Sequence, residues 1–301
     1  MLRGFAEDWK REFRGYNSAT LMKDVMAGLT VAAVALPLAL AFGVSSGADA
    51  AAGLITAIIA GLVMSMLAGG YYQISGPTGA MAAILTSLVA SYGLDGVFLA
   101  TLMAGVLLLL AGILHLGKLT SFIPAPVITG FTSGIAVIIA LGQIDNFFGT
   151  YSEGTTAVAK LLSYGRLGFS PDWISVGIGL FVVLFMVFFP KKWNAIVPAS
   201  LISIILATAA SILLQLEVAV VGEIPQTLFP ENSLRFSALQ PATMGKLIAP
   251  ACSIAILGMI ESLLCGASAA QMTGVRLKSN QELIAQGVGN ILLPFFGGIP
   301  A

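Results

Sequence analysis

Charge is what this chain has least of. Only 28 of its 301 residues are ionised at neutral pH, 14 basic and 14 acidic. That is 9% of the chain, against roughly 25% in soluble domains. So few charges cannot cover a water-soluble globule of this size, which excludes a soluble enzyme, a nucleic-acid binder and a disordered chain. The formal net charge is zero, so no global field selects a partner. Histidine is nearly missing: the single His115 argues against a His-based metal site or a His-centred triad. Cysteine is limited to Cys252 and Cys265. On one helix these stand about 20 Å apart along the axis, too far for a disulfide. Residues 1–22 mix both charge signs and lack the short apolar core of a cleavable signal.

What is abundant is apolar. Hydrophobic residues make up 57% of the chain, and its mean hydropathy is +0.97. A membrane helix needs about 20 apolar residues, and the charge-free runs supply nine spans. They cover 25–44, 50–69, 77–92, 96–116, 124–145, 172–189, 195–214, 249–271 and 282–296, with a tenth beginning just before Ala301. With the N-terminus in the cytoplasm, inside segments hold ten Lys and Arg and outside loops hold four, Lys160, Arg166, Arg235 and Lys246, as the positive-inside rule requires. Residues 1–22 place Leu2, Phe5, Trp9 and Phe13 at helical spacing among charges, the pattern of a cytoplasmic interfacial helix. The long outer loops, 146–171 and 215–248, carry no chemical motif.

Two features exceed what a membrane scaffold needs. The first is the break Tyr71-Tyr72-Gln73-Ile74-Ser75-Gly76-Pro77. Helix signals resume at Pro77, with Ser75 as a candidate cap. From there to Tyr92 is about 24 Å, short of a hydrocarbon core of about 30 Å. The third span is thus predicted to start inside the membrane, with free N–H groups and a positive dipole end that attract an anion. Such broken helices mark transporter sites; the plain alternative is a kinked helix with a Gly-Pro hinge. The second is Glu261, with 14 uncharged residues on each side. A carboxylate near mid-span is costly and by default functional, able to carry a proton or coordinate a cation; the plain alternative is a structural acid bonded to backbone. Gly258, Glu261, Cys265 and Ser268 share one helix face, expected to point into the protein. Pro37 is expected to kink span one. Asn280, Gln281 and Glu282 read as the cap and first turn of span nine.

Pro37 to Glu261 is 224 residues, and Pro77 to Ala301 is also 224. Seven spans separate each pair, so equivalent elements face opposite ways, as in an inverted repeat. Two opposed helix starts would then enclose an anion site at mid-membrane.

Four stretches resemble the sulfate permease (SulP) family of anion transporters. They are Ala35–Phe42, Gln73–Ala80, Ile123–Gly134, and Glu261 through Ala301, the last with Glu261-Ser262-Leu263-Leu264, Ser279-Asn280-Gln281-Glu282-Leu283 and Phe296-Gly297-Gly298-Ile299-Pro300-Ala301 in order. The resemblance implies an all-α polytopic membrane protein with an inverted seven-plus-seven repeat, uracil-transporter-like and divided into core and gate. It also implies an anion at Thr78, Gly79, Ala80 and Ala301 with Phe42 nearby, elevator-type movement, and a homodimer of the whole protein. Glu261 and Cys265 are the candidate coupling-ion residues, for H⁺ or for Na⁺ near Glu261; no other cofactor is expected. The expected organisation is a cytoplasmic segment 1–22, a first repeat 23–215, an outer loop 216–248 and the start of a second repeat 249–301, a fragment lacking the rest of span ten, later spans and the STAS domain. The expected function is secondary active transport of sulfate, bicarbonate or a dicarboxylate across a bacterial plasma membrane. The alternatives are a passive anion channel and a nucleobase permease of the same fold. An enzyme is not expected, because no paired carboxylates or activated nucleophile lines the spans.

Overall fold

Long apolar stretches become helices because a bilayer leaves backbone groups no partners except their own. A computed structural model of the chain describes residues 9–118, 125–154, 157–194, 197–219, 233–234 and 241–301, and among them there is no strand. The helices are α1 (Ser18–Ser45), α2 (Ala50–Leu67), α3 (Gly79–Ile113), α4 (Ala125–Gly142), α5 (Ile144–Phe148), α6 (Ala157–Leu167), α7 (Trp173–Phe188), α8 (Lys191–Asn194), α9 (Ala199–Leu213), α10 (Pro241–Thr273) and α11 (Ser279–Leu292), followed by a 3₁₀ turn over Leu293–Phe296. Among the described residues, four helices are long and apolar enough to cross a membrane: Ser18–Ser45, Ala50–Leu67, Gly79–Ile113 and Thr243–Thr273. Residues 1–8 of the expected interfacial helix, residues 123–124 of one family stretch and most of the loop 216–248, Arg235 included, lie outside the described residues.

The predicted third and fourth spans form one element, α3, broken at Gly93, whose φ of 67° and ψ of −175° are non-helical. Only glycine adopts that conformation without strain. Pro37 and Pro250 are both accommodated inside helices. α10 starts at Pro241, eight residues ahead of the predicted span.

Two compact units divide the chain. Met1–Pro37 and Leu180–Leu216 form one; Leu38–Gly179 and Glu217–Ala301 form the other. In the first, Phe181, Phe185, Phe189 and Trp193 follow one another at four-residue spacing, with ring centroids 5.9, 5.2 and 6.3 Å apart. The second unit contains every candidate site residue. Its centre is α3, packed against α11 and α10, with Leu85, Phe98, Leu99 and Leu108 fully buried beside Leu247, Ile254, Leu263 and Leu283. Small residues let these backbones touch: a Cβ on Gly105 would lie 2.6 Å from the Ile291 nitrogen, and one on Gly287 2.5 Å from the Leu109 nitrogen.

Candidate functional site

α11 builds the site through one polar stripe. Glu282, Gln286 and Asn290 recur every four residues, so they share a face, and all three are buried. The Glu282 carboxylate accepts from the backbone N–H groups of Gly69 (3.0 Å) and Gly70 (3.1 Å), from Ser262 Oγ (2.9 Å) and from Gln73 Nε2. Gln286 Nε2 donates to Ser262 Oγ at 3.3 Å and Ser75 Oγ at 3.4 Å. Asn290 pairs twice with Ala301: its Nδ2 donates to the Ala301 carbonyl (2.9 Å), and its Oδ1 accepts from the Ala301 N–H (3.0 Å). The stripe therefore holds two extended segments, 69–75 at one end and 298–301 at the other. Thr56 on α2 adds a second clamp to the latter, accepting from the Ile299 N–H at 2.8 Å and donating to the Ala52 carbonyl.

Asn280, Gln281 and Glu282 form the first turn of α11, as expected, but none of them is its cap. α11 begins at Ser279, and Lys278 at its N-cap makes no side-chain cap bond. The three side chains turn outward to other segments: Asn280 Oδ1 accepts from the Gly117 N–H (3.0 Å), and Gln281 Nε2 donates to the Ala68 carbonyl (3.0 Å) at the end of α2. Glu282 is 1% exposed, so Glu261 is not the only carboxylate set deep in the helices. The signal for it was the four-residue spacing of Glu282, Gln286 and Asn290.

Held this way, the first extended segment delivers the start of α3. The N-cap is Thr78, not Ser75, and Pro77 precedes the helix instead of opening it. A cap needs a side-chain oxygen within reach of the third helical N–H, and Thr78 Oγ1 accepts from Met81 N at 3.2 Å. The same hydroxyl donates to Glu261 Oε2 at 3.1 Å. The N–H groups of Gly79 and Ala80 have no intrahelical partner. Thr78, Glu261, Cys265, Ser75, Gln286 and Ala301 line one cavity of about 100 Å³.

The other expected residues are placed differently. Ala80 is packed in the core at 7% exposure. Phe42 lies with Gly79 in a second cavity, of about 370 Å³, on the far side of the α3 start. On α10, Gly258 is buried, Glu261 half-buried, and Cys265 and Ser268 are exposed. The packed stripe of α10 runs through Ala251, Ala255, Gly258, Ser262 and Gly266, at helical three- and four-residue spacing. Glu261 and Cys265 border that stripe and face the cavity.

Residues 21–301 match the Sulfate permease family. The chain belongs to the sulfate permease family. It is 38% identical over 303 residues to the putative sulfate transporter YvdB of Bacillus subtilis, covering 96% of this chain and 55% of that protein. It is 34% identical over 291 residues to the bicarbonate transporter BicA of Picosynechococcus, covering 92% of this chain and 50% of that protein. The solved transmembrane domain of a cyanobacterial BicA matches with a TM-score of 0.83 at 33% identity, over 94% of this chain and 74% of that one. Murine Solute Carrier 26 family member A9 shares the fold, with a TM-score of 0.75 at 20% identity over 92% and 51% of the two chains. The chain spans about half the length of the curated relatives it matches. It is an integral membrane protein with the all-α, inverted-repeat fold of a family of transporters, not enzymes.

Proposed function

We propose that this protein is a secondary active transporter of a small anion, sulfate, bicarbonate or a dicarboxylate, coupled to a proton at Glu261. The observation that carries the reading is the cavity shared by Thr78, Glu261 and Ala301. Thr78, the N-cap of α3, lines it, so it borders the positive end of a helix dipole, which favours an anion by about 0.3–1 kcal/mol at an exposed site and more when buried. A carboxylate in the same small space opposes that anion unless its charge is cancelled. Anion binding and neutralisation of Glu261 therefore favour each other, which is the thermodynamic content of symport. The lining supplies the Glu261 carboxylate, the hydroxyls of Ser75, Thr78 and Ser262, the side-chain amides of Gln73 and Gln286, and the Cys265 thiol. One proton on Glu261 cancels its charge with no further ligand, whereas Na⁺, a hard cation that wants several oxygens, would draw on the hydroxyls and amides as well.

All of these residues belong to one compact unit, as a body that carries its site across the membrane in an elevator-type movement requires. With the N-terminus in the cytoplasm, the 370 Å³ cavity at Phe42 and Gly79 is on the outer side. The test is uptake of sulfate and of bicarbonate into cells expressing the gene, across pH and with and without Na⁺. Saturable uptake with counterflow, steeper at acidic pH, is expected, and Glu261→Gln is expected to lose the pH dependence. Ohmic flux would favour a channel. A pH and Na⁺ dependence unchanged in Glu261→Gln removes the coupling role, and Na⁺ dependence at constant pH replaces the proton by Na⁺.

A further inference from the structure

The 370 Å³ cavity is lined by the last turns of α1, one face of the first half of α3, the end of α4, and α6. Its floor is Gly79. A Cβ there would lie 2.6 Å from Ile139 Cδ1 and 3.1 Å from Phe42 Cε1, so these two side chains close directly over the helix start. Thr78, the preceding residue, belongs to the smaller cavity with Glu261. The two cavities thus flank the Thr78–Gly79 peptide, and Phe42 and Ile139 close the larger one over Gly79.

The larger cavity has a charge preference. Among the described residues no carboxylate lines it, and Lys160 on α6 is its one charged lining residue. Lys160 is half-buried, and its ammonium makes no ion pair or hydrogen bond among the described residues. The acids of the same region are already engaged. Asp145 accepts from Ser152 Oγ (2.5 Å), Tyr164 OH (2.6 Å) and Thr150 Oγ1 (3.3 Å), and Glu153 pairs with Arg166 at 2.6 Å. Gln143 also lines the cavity. Its Oε1 is taken by Asn146 Nδ2 at 2.9 Å, which leaves its NH₂ group as a second donor. A partly desolvated cation facing an acid-free cavity raises the local concentration of anions.

We propose that this cavity is a loading site for a small oxyanion, selected by Lys160 and Gln143, where the anion waits before Phe42 and Ile139 part and admit it to the Thr78–Glu261 cavity. The proposal rests on the anion-transport reading, so its test has an arm that needs no transport. Ala83 lines the cavity and is exposed. With Cys252 and Cys265 replaced by Ser, Ala83→Cys is reacted with methanethiosulfonates of negative and of positive charge. The anionic reagent is expected to be favoured. That preference should fall about threefold in Lys160→Gln and about tenfold in Lys160→Glu at low salt, and survive in Lys160→Arg. Sulfate or bicarbonate should slow the anionic reagent only where position 160 is basic.

In the protein with its native cysteines, Lys160→Gln is expected to raise the KM for uptake and leave the maximal rate near wild type. A reagent preference indifferent to the charge at position 160, in a protein that still takes up anion, overturns the loading site. Charge-selective labelling in a protein that takes up neither anion supports the loading site and overturns the transport reading alone.

Discussion

Glu261 and Glu282 are both set deep in the same unit, yet their surroundings assign them opposite work. Glu282 accepts four hydrogen bonds and is almost completely buried. Among the described residues Glu261 accepts one, from Thr78, and it faces a cavity. Glu282→Gln turns one acceptor atom into a donor aimed at N–H groups that already need acceptors, and stranding a buried polar group costs about 1–3 kcal/mol. It is expected to lower the thermal unfolding midpoint in detergent by several degrees, whereas Glu261→Gln should leave the midpoint within about a degree. Thr78→Val removes both the cap of α3 and the bond to Glu261; it should cost about 1 kcal/mol and impair uptake, with Thr78→Ser restoring both. Glu261 was legible in the sequence because nothing charged lies near it. Glu282 was harder to single out, despite its four-residue spacing with Gln286 and Asn290, because an acid in the first turn of a helix is ordinary there. Only the fold shows that its side chain leaves its own helix for the segment 69–73.

At the scale of elements, the breaks were legible and the contacts were not. Tyr71–Pro77 interrupts a 45-residue charge-free run too long for one helix, Gly297–Gly298 breaks the last run, and both are non-helical in the structure. The first helical residue was misplaced by two, because proline is favoured in a first turn but Thr78 alone presents an oxygen to Met81. Nothing in an apolar run says which of its glycines touches a neighbour. Gly53 on α2 does: a Cβ there would lie 2.0 Å from the Ala39 carbonyl oxygen and 2.9 Å from Gly43 Cα on α1. Gly61, two turns further along α2, has nothing within 4 Å. Gly53→Ala should therefore force the two helices apart and cost about 3 kcal/mol or more, as overpacking does at its upper end. Gly61→Ala should be neutral, or stabilising by up to about 1 kcal/mol. Unfolding midpoints of the two variants, measured in one detergent, check this.

For the whole molecule, the inverted repeat was visible as two equal separations and an odd number of intervening spans. The structure supplies the physical means: one stripe on α11 and one threonine on α2 hold both extended segments in the same unit. The direct test of the account is whether a small anion occupies the cavity between Thr78, Glu261 and Ala301. Cys265 lines that cavity and is exposed, so it serves as a native reporter once Cys252 is replaced by Ser. The measurement is the rate of its alkylation in membranes containing the expressed protein, with and without saturating sulfate or bicarbonate. The account predicts that at least one of these anions slows the reaction several-fold, more strongly at acidic pH, and that Thr78→Val abolishes the protection. An alkylation rate indifferent to both anions at every pH would contradict it.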